Sequence, residues 1–442
     1  MSETKTMELD TDLGRIRGNV RGDMREFLGI RYAAAPRFSY AELTGAWEGV
    51  YDATAFGPAC SQYRTYFPHL DVPERRFYYR EFREGTEFTY SEDCLNLNIY
   101  APAKEGRYPV LVYIHGGGFN SMCNSENYLD GAEYVRRGIV LVTINYRVGI
   151  FGYLTHPSLT EKYGRDGNFG LDDQIKALEW VRLHIRSFGG DPENITVMGQ
   201  SAGAISIQYL CLTGRKLFDR AVMMSGAGAF PKIALPKDHE TTQAYWQQVI
   251  DTSGAKSFEE FRQLSDRGIL AAVEEVKKVR KDNQTSCQPV IDGFLLKDRV
   301  DRLIRHPAEL PYLVGYTNND MFTGVIAHMA HKYARQTKGY LYYFDVDAPG
   351  DQNQAFHSSD LRYVFGTLDR SFRPYDETDR AISARMIDYI AAFARTGDPN
   401  HEGAPVWTPG GKKALCIARK GIRMGRPGYG KLIANTFKGD PT

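Results

Sequence analysis

Residues 199 to 203 read Gly-Gln-Ser-Ala-Gly, between a β-branched run, Ile195 to Met198, and an apolar run, Ala204 to Leu210. A strand that turns at once into a helix forces the residue at the corner into a strained backbone conformation. Only small neighbours tolerate that, and Gly199, Ala202 and Gly203 supply the room. Ser201 is therefore a candidate nucleophile, its hydroxyl clear of the backbone at a helix N-terminus. Unpaired N–H groups and the helix dipole favour negative charge there, so the N–H of Ala202 is placed to hold an oxyanion.

A serine needs a base, and the base needs an orienting acid. The segment Ala355 to Gly366 sets one histidine beside small residues just before an apolar patch, and His357 is the candidate base. In Leu313 to Phe322 a short apolar strand ends in a polar turn carrying Asp320, the candidate acid. The order serine, acid, histidine is that of α/β-hydrolases and not of chymotrypsin-like or subtilisin-like proteases.

Upstream, the buried-strand pattern Val110 to Ile114 runs into His115-Gly116-Gly117-Gly118-Phe119. Consecutive glycines let backbone N–H groups approach one oxygen, so Gly117, Gly118 and Ala202 form a candidate oxyanion hole. The run lacks the Lys-Ser/Thr of a phosphate-binding loop. His115 reads as an anchor of this loop, and Ser225 as a hydrogen-bonding support beside the triad.

These motifs, with Phe27 to Ala33, Ser91 to Asn98, Asn145 to Gly149, Asn168 to Gln174, Phe188 to Pro192, Tyr363 to Gly366 and Phe393 to Pro399, resemble the type-B carboxylesterase family over most of the chain. That family includes cholinesterases and p-nitrobenzyl esterases. The resemblance implies a serine ester hydrolase working through an acyl-enzyme on small to medium, largely uncharged esters. It carries the triad onto Ser201, Asp320 and His357, and the oxyanion hole onto Gly117, Gly118 and Ala202. Three departures stand out. Asp320 replaces the usual glutamate, which requires a closer backbone approach to His357. Arg31 stands where proline is common. The stretch between Ser201 and Asp320 is short, which implies a reduced lid and a more open cleft. The same site suits a feruloyl or other aromatic-ester esterase, or an amidase; a catalytically inactive interaction protein is the non-enzyme alternative.

The elements that must position these groups follow from periodicity. The fold class expected is α/β: an α/β-hydrolase fold with a mostly parallel, twisted central sheet and helices on both faces. Residues 8 to 32 read as an antiparallel hairpin region. Strands are expected near Leu95 to Tyr100, Val110 to Ile114, Ile139 to Ile144, Ile195 to Met198, Ala221 to Met224, Tyr312 to Val314, Tyr340 to Phe344 and Lys413 to Ile417. Leu171, Ile175, Leu178, Val181 and Ile185 form an apolar stripe on a helix spanning Leu171 to Ser187, expected to pack beneath the Ser201 strand. A closing helix is expected from Glu377 to Thr396. The chain reads as one domain, 1–442, with a helical lid-like insertion around 230–290. Asp172, Asp173, Glu92 and Asp93 read as helix caps and ion pairs, and His184, His328 and His331 as solvated or packing residues.

Composition narrows the partners. With 55 Lys and Arg against 54 Asp and Glu, the formal net charge is +1, which offers no basic face for nucleic acid or anionic membranes. Small neutral substrates are expected, with no metal or organic cofactor, and a monomer or small homo-oligomer. No secretory signal or spanning apolar run is visible, so a cytoplasmic enzyme is expected. Six cysteines do not make a disulfide scaffold. The resemblance implies a bridge between the positions of Cys60 and Cys94 in secreted animal relatives, whereas a reducing compartment keeps them as thiols.

Overall fold

The computed structural model describes residues 5–228, 238–280, 287–320 and 323–427. Its principal sheet holds β1 (Lys5–Thr11), β2 (Gly14–Arg21), β3 (Met24–Arg31), β4 (Asn96–Pro102), β5 (Tyr108–Ile114), β6 (Val140–Ile144), β7 (Gly190–Gln200), β8 (Arg220–Met224), β9 (Tyr312–Thr317), β10 (Tyr340–Asp345), β11 (Ala414–Ala418) and β12 (Gly421–Gly425). Their spatial order is β1-β2-β3-β4-β6-β5-β7-β8-β9-β10-β11-β12, and Val50–Asp52 pairs with β2. From β6 to β11 the neighbours run parallel, while both flanks are antiparallel. Every expected strand is present. The edge strand β12 was not foreseen, because Gly-Ile-Arg-Met-Gly carries no sustained apolar pattern.

Side chains alternate across the sheet with the period of two that strands impose. Val110, Val112, Ile195 and Val197 enter one core, and Leu111, Tyr113, Met198 and Val222 the other. The helices used below are α1 (Tyr63–Tyr66), α2 (Pro73–Phe82), α3 (Phe169–His184), α4 (Ala202–Leu212), α5 (His239–Thr252), α6 (Phe258–Gln263), α7 (Asp266–Arg280), α8 (Thr323–Thr337) and α9 (Glu377–Thr396). On the first face lie α3, α4 and α8; on the second lies α9. Leu171, Ile175, Leu178, Val181 and Ile185 are all inaccessible to solvent and share the core of Ile195 and Val197. The helix ends at His184, and Ile185 to Phe188 continue as a tighter turn.

The closing helix has the predicted bounds because both ends are marked. Asp376 accepts from the amides of Thr378 and Asp379, Asp379 returns a bond to the amide of Asp376, and Gly397 stops the helix at φ +83°. Helical structure fills the described part of the lid-like region, as α5, α6 and α7. Residues 230–237 and 281–286 of that region lie outside the described residues. Among the described residues no helix is long and apolar enough to cross a membrane. Cys60 and Cys94 are buried free thiols.

Candidate active site

The candidate residues follow the carboxyl ends of neighbouring parallel strands: His115 after β5, Ser201 after β7, Ser225 after β8 and Asp320 beyond β9. Open α/β sheets gather ligand-facing loops at that edge. Ser201 adopts φ +56° and ψ −124°, a region costly for any residue with a Cβ. Two contacts hold it there. Its amide donates to Met224 O at 2.8 Å, and α4 rests directly on the end of β5, where a Cβ on Gly203 would lie 2.1 Å from Ile114 O. Ser201 is partly exposed, between buried Gln200 and Ala202.

Asp320 is inaccessible to solvent and His357 nearly so. His357 Nδ1 and Asp320 Oδ1 are 2.5 Å apart. The other carboxylate oxygen accepts from Ser225 Oγ at 2.6 Å and from the Thr317 amide at 3.2 Å, so the hydrogen bond expected of Ser225 is present. The loops that carry Asp320 and His357 are joined through their backbones. Asn319 forms an isolated parallel bridge with Phe356, its amide donating to Ala355 O at 2.8 Å, and Asn318 is tied to Phe344 O at 2.8 Å.

The structure thus joins two of the three predicted side chains directly. The third is not bonded to them: among the described residues, no hydrogen bond links Ser201 to His357. His357 Nε2 instead faces the amide of Gln200, 3.2 Å away. Gln200 was not singled out in the sequence. Its only signal was its place beside Ser201, since a contact spanning 157 positions is visible only once the chain is folded.

Burial by itself would depress the His357 pKa. The Asp320 carboxylate, through its charge and hydrogen bond, and the charges of Asp360 and Glu74 outweigh it, so the net shift is upward. Asp360, also missed in the sequence, is fully buried, accepts from Tyr342 Oη at 2.7 Å and is pushed up to about 6 by desolvation.

The glycine run lies against the serine. A Cβ on Gly116 would meet Ser201 Cβ at 3.1 Å, and one on Gly117, at φ +93°, would stand 2.2 Å from Ser121 O. Among the described residues the amides of Gly117, Gly118 and Ala202 donate no backbone hydrogen bond. His115 anchors this loop as expected. Its Nδ1 lies 3.0 Å from Gly116 O, its carbonyl accepts from Tyr146 Oη at 2.9 Å, and its ring stacks on Tyr146. Burial lowers its pKa to about 4, which keeps it neutral.

The sequence profile of the Carboxylesterase family matches residues 5–331 and 321–421. The chain belongs to the carboxylesterase family. The esterase is 29% identical over 462 residues to the para-nitrobenzyl esterase of Bacillus subtilis (strain 168), covering 89% of this chain and 90% of that protein. Over 499 residues it is 29% identical to carboxylesterase 5A of Canis lupus familiaris, covering 90% and 83%. A solved structure of a thermophilic PNB esterase superposes with a TM-score of 0.82 at 26% identity, covering 95% of this chain and 97% of that one. The fold is therefore that of the α/β-hydrolases, and the enzyme hydrolyses carboxylic esters by family membership.

The remaining carboxylates of the family stretches form ion pairs. Arg147 grips Asp173 through Nε at 2.8 Å and Nη2 at 2.7 Å, both side chains buried. Arg165 reaches Asp172 at 3.4 Å, Arg37 pairs with Glu92, and Arg31 pairs with Asp93 at 2.5 Å. None caps α3, which begins at Asn168 in a left-handed conformation with no side-chain cap. Asn168 instead exchanges two bonds with the backbone of Val290, at 2.9 and 2.8 Å. Among the histidines, His184 departs from its expected role by pairing with Asp12 at 2.6 Å; His331 is bonded to Tyr316 and Gly411, and His328 is exposed.

Proposed function

We propose that the esterase works by acyl transfer at Ser201, with His357 as general base, Asp320 as its orienting acid, and the amides of Gly117, Gly118 and Ala202 as the oxyanion hole. Ser201 Oγ attacks the ester carbonyl while His357 Nε2 takes its proton. The negative charge gathers on the carbonyl oxygen, where three fixed amides stabilise it without reorganising. His357 then protonates the departing alcohol. Water, deprotonated by the same imidazole, attacks the acyl-enzyme; collapse of the second tetrahedral intermediate returns the proton to Ser201 and releases the acid.

The observation that carries this reading is the Asp320 to His357 contact. A carboxylate on Nδ1 fixes the tautomer that leaves Nε2 a lone pair, and it stabilises the imidazolium formed during attack. A rotation of His357 or Gln200 that exchanges the amide for the serine hydroxyl completes the relay. Substrates on this reading are small to medium esters with little charge. The lid-like helices α5 to α7 belong to the same domain, held by Trp246 Nε1 donating to Tyr153 O at 3.2 Å and by Ser61 Oγ donating to Asp266 at 2.7 Å. Ser201→Ala is expected to abolish release of p-nitrophenol from p-nitrophenyl butyrate, with an unchanged circular-dichroism spectrum. Turnover close to wild type in that variant rejects Ser201 as nucleophile.

A further inference from the structure

Between α1 and α2 lies a cavity of about 140 Å³ whose charged lining is entirely cationic: Arg64, Arg75 and Arg83 surround it with Tyr79, Phe88 and Tyr90. Arg75, Tyr79 and Arg83 follow at intervals of four along and just past α2, which sets them along one stripe. The cations are not equivalent. Arg83 is neutralised by Glu126, a buried carboxylate that it grips through two nitrogens, and its guanidinium lies 5.1 Å from the Phe88 ring. Arg64 makes no hydrogen bond or ion pair among the described residues. Arg75 has a buried Nη1 with no partner, and its guanidinium lies over the Tyr63 ring at 5.3 Å. Lys277 of α7 closes on the same ring from 3.7 Å, adding a third positive charge.

The acidic groups nearby do not discharge this cluster. Asp71 and Glu74 act on Arg75 only at a distance, and Glu274 is engaged by His69 at 3.2 Å. Burial, reinforced by the repulsion of Arg83 and Arg75 and only partly offset by Glu126, pushes the Arg64 pKa down to about 10. A half-buried guanidinium with no carboxylate in direct contact is costly, and an anion in the cavity would relieve that cost.

The helices that line the cavity are also tied, through neighbouring residues, to the loops that carry the catalytic groups. Gln62, just before α1, binds Met122 of the glycine loop through both N and O, at 3.0 and 3.3 Å. Tyr78, next to the cavity-lining Tyr79, donates to His357 O at 3.4 Å and packs on Phe356. We propose that this cavity is an anion subsite of the esterase, in which Arg64 and Arg75 bind a carboxylate borne by the ester substrate while Tyr79, Phe88 and Tyr90 cover its apolar stem. The subsite rests on the serine-esterase reading above and extends it from neutral esters to those with one acidic terminus.

Two substrate pairs test it: mono-p-nitrophenyl glutarate against p-nitrophenyl hexanoate for a carboxylate on the acyl side, and 4-carboxyphenyl butyrate against phenyl butyrate for one on the alcohol side. The readout is the ratio of kcat/KM, acidic to neutral, within a pair. In Arg64→Gln or Arg75→Gln that ratio is expected to fall roughly ten- to hundredfold in one pair, the worth of a charge-assisted hydrogen bond, chiefly through KM. Arg64→Lys, which keeps the charge, is expected to recover part of it. A ratio unmoved by both glutamine variants in both pairs overturns the subsite. Should the variants not fold, competition on the wild type reports the same interaction, and glutarate that inhibits hydrolysis of p-nitrophenyl butyrate no better than neutral 1,5-pentanediol overturns it equally. Neutral-ester turnover, and its loss in Ser201→Ala, decides the serine-esterase reading independently.

Discussion

At the scale of single residues, the proposed mechanism makes the charge on His357 govern the rate, because attack requires a neutral imidazole. Its pKa is raised by Asp320, Asp360 and Glu74 against the opposing pull of burial. The active form is therefore lost on acidification through a value above the ordinary histidine pKa of about 6.5, and the acid limb of kcat/KM should lie above that value. Gln200 offers a direct perturbation. Its amide now faces Nε2, so Gln200→Glu puts a negative charge there, favours imidazolium and should move the acid limb further up. A pH profile identical in the two proteins would show that Gln200 does not meet the base during turnover. Asp320→Asn keeps the shape but loses the charge and the tautomer control, and kcat should fall on the order of ten-thousandfold, read by single-turnover kinetics. A loss below tenfold would assign the orienting role to another acid, with Asp360 the first to test. The strained turn at Ser201 and the meeting of Asp320 with His357 were legible because each residue sits in a short run whose residue types announce a turn at a strand end. Gln200 and Asp360 were not, since their effect on the base depends on loops brought together from distant parts of the chain.

At the scale of elements, strands were easier to read than the ends of helices. The β-branched runs at Val110 to Ile114 and Ile195 to Met198 are buried on both faces, as parallel strands must be when helices cover both sides. The start of α3 was read through its aspartates as a capped terminus. It is instead fixed by Asn168 bonding to Val290, a segment 122 positions away, while Asp173 turns inward to Arg147. That buried pair ties the end of β6 to α3, and the Arg147 Nη1 also donates to Ser39 O at 2.8 Å. Asp173→Asn leaves the guanidinium buried without its counter-charge, at an expected cost of about 3–5 kcal/mol. Urea denaturation should show the midpoint falling with little change in slope. A shift below about 1 kcal/mol would mean that water reaches Arg147 in the variant and repairs the loss.

At the scale of the whole molecule, charge is balanced in total and uneven in place. The net charge of +1 leaves no long-range field to steer substrates, yet Arg64 and Arg75 line the cavity between α1 and α2 with no carboxylate in its wall, and Lys277 stands nearby over Tyr63. Composition says nothing of that local excess, because a sum over the chain carries no positions. The two levels separate by ionic strength. Between about 0.05 and 0.5 M salt the Debye length shrinks from roughly 14 to 4 Å, which screens exposed charges while leaving buried pairs such as Asp320 and His357 nearly untouched. Hydrolysis of p-nitrophenyl butyrate should therefore keep a constant kcat/KM across that range. A steep salt dependence for this neutral ester would place an exposed charge in the path of its reaction, and the base and its acid, both buried, are the wrong groups to supply one.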